Sequence, residues 1–468
     1  MKRPAIAVTL PILALMWTLS GASAPSAVSA RQSRPAGTQA GADAGNHVII
    51  ITLDGFGGWG LDDPYLPLPT LRALAARGAI AGGMRPVNPT VTWPNHTSIV
   101  TGVTPARHGV LFNGSLIRAD GVPPRVEPWI DKKEMVRVET LYDAAHARGL
   151  TTAQVDWVAI YNAPTITWEF RERPPDGGGG AIAGEMVRVG LVTQADVDSF
   201  ASRNILFRDA VWTKAAVHII REHRPNLLLL HLLALDSTEH RYGPRTPAAM
   251  STMAWLDGQV ADVVKAVEDA ALTEKTTIFV LSDHGFKPVT RQILPNAALL
   301  RAGLLDAPDG KVTATRVYVV PEGGSALVYV TAKDPAGELL AKARAALSGL
   351  GGIDRIVEPG EYASYGLPAP ADNAQMGALF LTAKDGYAFA GATGPQLVVD
   401  APEGSRGSHG YVATDPDLRS LFIAAGRGIK PGTTIESVDN IDIAPTAARL
   451  LGIPLPFADG HVLTPILR

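Results

Sequence analysis

Three aspartates stand almost directly after three runs of branched and apolar residues. Val48-Ile-Ile-Ile-Thr-Leu53 leads to Asp54, the run Leu227–Leu233 to Asp236, and Thr277-Ile-Phe-Val-Leu281 to Asp283. Two of them have a histidine close by. Asp236-Ser-Thr-Glu-His240 sets a carboxylate and an imidazole one helical turn apart. Asp283-His284-Gly285 sets them side by side before a glycine that permits a sharp bend. A third histidine, His409, lies between glycines in Gly407-Ser-His-Gly-Tyr411. Three carboxylates and three imidazoles form a ligand set suited to zinc or a similar borderline metal. Taken singly each has an ordinary use, because an aspartate after a strand commonly serves as a turn or cap residue. A lone histidine is ordinarily a surface or satisfied core residue, and His146, His218, His223 and His461 are read that way.

The segment from Asn88 to Gly102 concentrates a second kind of chemistry, in Thr92-Trp-Pro-Asn-His-Thr-Ser. Pro94 stands where a first helical residue would, which puts Thr92 or Trp93 near the cap and the Thr92 hydroxyl at the positive end of a helix. Anions bind at such ends. A threonine hydroxyl is a weak nucleophile until a base or a metal lowers its pKa, and a zinc beside it would do so. A plain N-cap threonine is the alternative that spacing alone leaves open.

Elements must deliver these groups to one place. The continuous apolar runs suit strands buried on both faces. Helix-like periodicity falls at about 70–77, 94–102, 138–148, 207–223 and 246–270. The alternation predicts a doubly wound α/β fold, a mostly parallel sheet with helices on both faces. Such sheets bind ligands beyond the carboxyl ends of their strands, where all three aspartates would arrive. From about 287 to 400 the pattern changes: Val-rich alternation at 316–320 and 326–331, a helix at 335–348, then Gly- and Pro-punctuated sequence. This predicts a small α/β insertion capping the site. The sheet resumes at Leu421–Ala425, and a last helix falls near 442–451.

With 468 residues, the chain is long enough for one large α/β domain with insertions or for two ordinary domains. A composition 46% hydrophobic and 19% charged excludes a disordered, fibrous or polytopic membrane chain. Met1-Lys-Arg3, an apolar run from Ala5 to Leu19 and small residues through Ala30 follow the order of a secretory signal peptide. The run is shorter than the roughly 20 residues of a spanning helix, so no stable membrane span is expected. Residues 1–30 are therefore expected to be removed after Val28-Ser-Ala30, with a retained anchor as the alternative. Residues 31–46 read as a flexible leader, and 47–468 as the catalytic domain, periplasmic or secreted. There is no cysteine, so neither disulfides nor thiolate ligands are available. Loss of Lys2 and Arg3 takes the formal net charge from −3 to −5, which offers no footprint for a nucleic-acid polymer.

In order along the chain stand Ile-Thr-Leu-Asp54-Gly-Phe, Thr92-Trp-Pro-Asn-His-Thr-Ser-Ile-Val-Thr-Gly, Arg107-His-Gly-Val-Leu-Phe-Asn113, Asp236-Ser-Thr-Glu-His240-Arg-Tyr-Gly-Pro, Ser282-Asp283-His284-Gly and His409-Gly-Tyr. With these the chain resembles, from about 47 to 466, the type I phosphodiesterase/nucleotide pyrophosphatase family of the alkaline phosphatase superfamily. The resemblance implies an alkaline phosphatase-like fold and two Zn2+ per chain, one held by Asp54, Asp283 and His284 with Thr92, the other by Asp236, His240 and His409. It implies that Asn113 hydrogen-bonds a non-bridging phosphate oxygen, and that Thr92 attacks phosphorus to give a phosphothreonine that water hydrolyses. The expected partner is a small phosphodiester, a nucleotide or a lipid head group.

Two departures from the family bear on substrate. His231 stands five residues before Asp236, where relatives commonly place an aromatic residue that stacks on a nucleobase. Val155-Asp-Trp157 stands where related monoesterases and phosphonoacetate hydrolases carry Lys-x-Arg or Lys-x-Lys. Without those cations a monoester dianion is poorly compensated, whereas a diester monoanion needs less, which favours diesters. Trp93, Trp157 and His231 are the candidate pocket residues; Trp59, Tyr161 and Trp168 are further aromatics of a kind more often found in cores. A phosphomonoesterase of the same superfamily is the nearest alternative, and a non-catalytic metal- or phosphate-binding homologue a remoter one. A sulfatase is set aside, because Cys/Ser-x-Pro-x-Arg is absent near Thr92.

Overall fold

Strand β1 (His47–Leu53) is buried along its whole length, as a β-branched run requires when both of its faces are covered. In the computed structural model, which describes residues 45–172, 179–334 and 337–468, β1 lies inside an eight-stranded sheet. Its other strands are β2 (Gly78–Ala81), β3 (Thr152–Val155), β4 (Trp168–Phe170), β5 (Leu227–Leu232), β6 (Thr276–Leu281), β7 (Phe422–Gly426) and β8 (Thr433–Ile435). The order across the sheet is β8-β2-β7-β6-β1-β5-β3-β4. Strand β1 pairs in parallel with β5 and β6, and β3 in parallel with β4 and β5. Only β7, among these eight, runs antiparallel to both neighbours. The expected signal peptide, and the leader before Gly45, lie outside the described residues.

Alternation along β1 divides the core. Ile49, Ile51 and Leu53 pack against helices α3 (Ile205–Glu222) and α5 (Pro247–Asp269). Val48 and Ile50 pack against α1 (Thr92–Thr101), α2 (Leu141–Ala147) and α6 (Ile443–Leu451) on the other face. Each large aliphatic side chain so buried stabilises the fold by about 1.5–3 kcal/mol. Helices on both faces of a mostly parallel sheet are the doubly wound arrangement read from the sequence. Between β5 and α5 a further helix, α4 (Ala234–Tyr242), follows the sheet edge.

The start of α1 differs from expectation. Thr92 is its first residue and Pro94 its third, while the N-cap is Val91, which is extended and offers no side-chain cap bond. Proline is tolerated there because the first-turn N–H groups have no intrahelical acceptor in any case.

Residues beyond β6 build a second sheet, antiparallel, in the order Val317–Glu322, Ser325–Val330, Leu379–Ala383, Ile353–Val357. It has its own apolar core, to which helices Pro295–Arg301 and Glu338–Ser348 contribute. Its other face, with Leu327, Tyr329 and Phe380, packs on Leu111, Phe112 and Leu116, which flank Asn113. Among the described residues no helix is long and apolar enough to cross a membrane.

A candidate metal-centred active site

The carboxyl ends of β1, β5 and β6 are adjacent, so Asp54, Asp236 and Asp283 meet at one edge of the sheet. Helix α4 turns Asp236 and His240 to the same side, with His240 Nε2 3.4 Å from Asp236 Oδ1. Its first turn is fixed from α3, where Asp209 accepts the N–H groups of Leu233 and Ala234 at 3.1 and 2.8 Å. His409 arrives on the chain returning from the second sheet and sets its Nε2 3.6 Å from the same Asp236 oxygen. Gly410 makes that approach possible: its φ is +85°, and a Cβ there would lie 1.7 Å from the Glu322 carbonyl oxygen. Gly285 serves a different need from the bend expected of it. A Cβ there would lie 2.2 Å from the Asp417 carbonyl oxygen, so close approach of the backbone is what requires glycine.

The donor atoms fall into two overlapping groups. Those of Asp236, His240 and His409 lie within 4.8 Å of one another, and so do those of Asp54, Asp236 and His284. His284 Nε2 is 3.5 Å from Asp54 Oδ1 and 3.1 Å from Asp283 Oδ2. Hydrogen bonding shows what these atoms lack. His409 Nδ1 donates to the Thr90 carbonyl at 2.9 Å and His240 Nδ1 to the Gly407 carbonyl at 3.2 Å. Carbonyls only accept, so in the neutral rings the protons sit on Nδ1 and both Nε2 lone pairs face a carboxylate oxygen. Asp54 Oδ1, Asp236 Oδ1, Asp283 Oδ2 and both ring nitrogens of His284 are buried with no hydrogen-bond partner. Buried acceptors left facing one another cost several kcal/mol unless a cation lies between them. The residues present therefore fit metal ions.

Electrostatics say the same. Burial, reinforced by Asp236, raises Asp54 to about 7. Burial and the Asp54 charge raise Asp283 well above the usual carboxylate range. Burial lowers His409 to about 4, with His240 adding to it, and pushes His284 far below 6.5. Asp236 runs the other way, held low against its burial by His240 and His409, so it is Asp54 and Asp283 whose ionised forms need added positive charge, which a bound metal would supply.

Thr92 is buried at the start of α1, two residues after the carbonyl that orients His409. One turn on, His96 bonds the Thr92 carbonyl through Nδ1 (2.9 Å) and the Thr52 hydroxyl through Nε2 (2.8 Å), and its Nδ1 is 3.7 Å from Asp283. The ring thereby ties α1 to β1 and to the cluster. Asn113, exposed beside the helix, accepts the Trp93 N–H on Oδ1 at 2.9 Å. That bond fixes the amide so that Nδ2 is left to donate. Trp93 and Trp157 line one cleft with Trp129, Gln154, Tyr161, Arg171 and Glu172. Arg171 is stacked on Tyr161 and paired with Glu169 at 2.5 Å.

His231 is the pocket residue that the structure places elsewhere. It is 1% exposed and locked between two carboxylates, its Nε2 3.0 Å from Asp54 Oδ2 and its Nδ1 3.3 Å from Asp156 Oδ2. Asp156 and Asp54 hold its pKa well above 6.5 against the opposing effect of burial. Of the other aromatics, Trp59 lies under Arg245 and Trp168 on His223; neither lines the cleft. Sequence reasoning gave no role to Asp156, His96 or Asp209. Alternation in β5 is the signal for the first: Leu227 and Leu229 belong to the face carrying α1, so His231 faces that side too, where Asp156 and His96 meet it.

Residues 48–412 match the family model described as type I phosphodiesterase/nucleotide pyrophosphatase. Ectonucleotide pyrophosphatase/phosphodiesterase family member 7 of Homo sapiens is 24% identical over 481 residues, spanning 99% of this chain and 89% of that protein. Family member 1 of Rattus norvegicus is 23% identical over 427 residues, 88% of this chain and 42% of that protein. The fold is similar to that of murine ectonucleotide pyrophosphatase/phosphodiesterase 5, with a TM-score of 0.67 at 17% identity over 90% of this chain and 100% of that one. An inactive form of that murine protein in complex with AMP aligns with a TM-score of 0.66 at 17% identity, over 89% of this chain and 96% of that one.

Proposed function

The chain belongs to the type I phosphodiesterase/nucleotide pyrophosphatase family and is a phosphodiesterase hydrolase, and we propose that it works with two zinc ions and with Thr92 as nucleophile. The observation that carries this reading is the convergence of unpartnered acceptors from Asp54, Asp236, Asp283 and His284, with the lone pairs of His240 and His409, beside the start of α1. Asp54, Asp283 and His284 would hold one ion and Asp236, His240 and His409 the other. Bound there, zinc supplies Lewis-acid charge at the reacting phosphate.

The chain's own residues do the rest. The Thr92 oxygen forms a bond to phosphorus as the ester oxygen leaves, giving a phosphothreonine, and water then breaks the Thr92–phosphorus bond and restores the hydroxyl. The Asn113 amide, held by the Trp93 N–H, donates from Nδ2 to a non-bridging oxygen and stabilises charge that grows in the transition state. Trp93, Trp157, Trp129 and Tyr161 line a narrow cleft in which Trp93 and Trp157 are 8% and 3% exposed, so the partly exposed Trp129 and Tyr161 are the aromatic faces it would offer a nucleobase or another flat or apolar substituent. His231, enclosed by Asp54 and Asp156, has no face to offer it. Arg171, the cation of this cleft, is already matched by Glu169. The cleft therefore brings no uncompensated positive charge for a monoester dianion, which supports diesters and pyrophosphate bonds of nucleotide type.

Export belongs to the same proposal, on the charged, apolar and small-residue order of residues 1–30. So do a leader over 31–46 and a capping role for the insertion around 287–400. The deciding experiment compares bis-p-nitrophenyl phosphate with p-nitrophenyl phosphate, using zinc-loaded protein and Thr92→Ala. Preference for the diester, lost in the variant at unchanged metal content, is expected. Preference for the monoester, or full activity in the variant, would overturn the reading.

A further inference from the structure

Far from that centre, three more donor atoms converge. Helix Gly180–Arg188 carries Glu185, and α3 carries His218 and ends at His223, its C-cap. Both imidazoles present Nε2 to one oxygen, Glu185 Oε2, at 2.9 Å from His218 and 2.7 Å from His223. All three donor atoms lie within 4.8 Å of one another. His223 is held by Trp168, whose ring stacks on it at 4.8 Å and 23°. The His218 side chain is 5% exposed, whereas Glu185 and His223 are 24% and 21% exposed, so the group is walled on the protein side and open on the other.

The place of this cluster in the fold says what it would do. His223 precedes the first residue of β5 by four positions and Trp168 begins β4, so the group lies at the amino ends of these parallel strands. The proposed active centre lies at their carboxyl ends, about 20 Å away for six residues at roughly 3.3 Å each. No residue is shared between the two. We propose that Glu185, His218 and His223 are a third metal site that takes zinc and clamps the Gly180–Arg188 helix to α3. Two imidazoles and one carboxylate are a donor set zinc accepts with three protein ligands, leaving water to complete the shell on the open side. Trp168 acts as the packing partner that fixes one ring for binding.

The test counts metal. Protein stripped with chelator, reloaded with zinc and dialysed is assayed by mass spectrometry as wild type, as Glu185→Gln/His223→Gln, and as Asp236→Asn/His409→Gln. The cluster variant is expected to hold one ion fewer than wild type, whatever the wild-type total, and to keep its diesterase activity. The centre variant is expected to keep the cluster ion. Equal metal content in wild type and cluster variant would overturn the proposal. A failure of the two-zinc reading would instead show as a low count in wild type with the one-ion difference intact. Cobalt(II) provides the second readout: in the centre variant, which leaves Asp54, Asp283 and His284 intact, the cluster ion should add visible d–d absorption that the single change Glu185→Gln, at a partly exposed position, removes. Absorption unchanged by Glu185→Gln counts against the site equally.

Discussion

Thr92, Asn113 and His231 sit within a few residues of the same cluster, yet their substitutions should fail in different ways. Thr92→Ala removes the group that bonds to phosphorus and should lower kcat by about 10³-fold or more, with metal content unchanged. Asn113→Ala removes one donor to the phosphate and should cost about 10²–10³ in kcat with little change in KM; an equal loss in kcat/KM carried by KM alone would refute that role. His231 touches Asp54 rather than substrate, so His231→Asn should weaken metal binding by about 10–100-fold. Excess zinc should restore its rate, as it cannot for Thr92→Ala. The three aspartates were legible because each closely follows an apolar run that suits an interior strand, and the strand end fixes where its aspartate goes. His231 was misplaced because spacing from Asp236 was read without the alternation of β5, which turns it inward under His96, at 4.4 Å between ring centroids.

At the scale of elements, the loop from α1 to Asn113 depends on a buried histidine. His108 accepts the Val110 N–H on Nδ1 at 3.1 Å and bonds Ser98 of α1 through Nε2 at 3.0 Å. That pattern requires the neutral ring. Burial lowers its pKa from 6.5 to about 3, outweighing the Pro94 carbonyl. The unfolded chain takes up a proton here below about 6.5 and the folded chain does not until about 3, so stability falls as pH drops through this window. At about 1.4 kcal/mol per unit, acidification through this window costs the fold several kcal/mol. His108→Gln should be less stable than wild type at pH 7 and lose less on acidification, so that the two urea midpoints approach each other near pH 4; parallel curves would exclude His108 as the titrating group. The motif around His108 was visible in the sequence, but its purpose was not, since Ser98 and Val110 meet it only once α1 has docked. The direction of β7 was equally hidden. An apolar run reads the same whichever way the strand points, and only the pairing with β2 and β6 reveals the reversal.

Over the whole molecule the proposed centre joins parts that lie far apart in sequence. Asp54, Asp236 and Asp283 stand on three adjacent strands of the large sheet, whereas His409 lies where the chain returns from the small one, and it reaches Asp236 by facing lone pairs alone. Contacts of this order, between residues 173 positions apart in sequence, have no local signature; the ligand set was read only because each member also sits in a short motif. Glu185, His218 and His223 lack such motifs, and their 33- and 38-residue separations kept them apart in the sequence. Metal at the proposed centre would bind the folded chain and not the open one, so it should stabilise the fold by about 4 kcal/mol at a thousandfold excess over Kd. Chelation should therefore lower Tm and abolish diester hydrolysis together. Amide exchange should quicken first around 405–411, where two bonds to the Thr90 carbonyl, from His409 and Gly410, would remain to hold the return. The paired interiors of β1, β5 and β6 should stay protected, being closed by burial on both faces. If exchange at 405–411 is unchanged while activity is lost, then His409 is seated by the backbone alone and the metals take no part in fastening the two sheets.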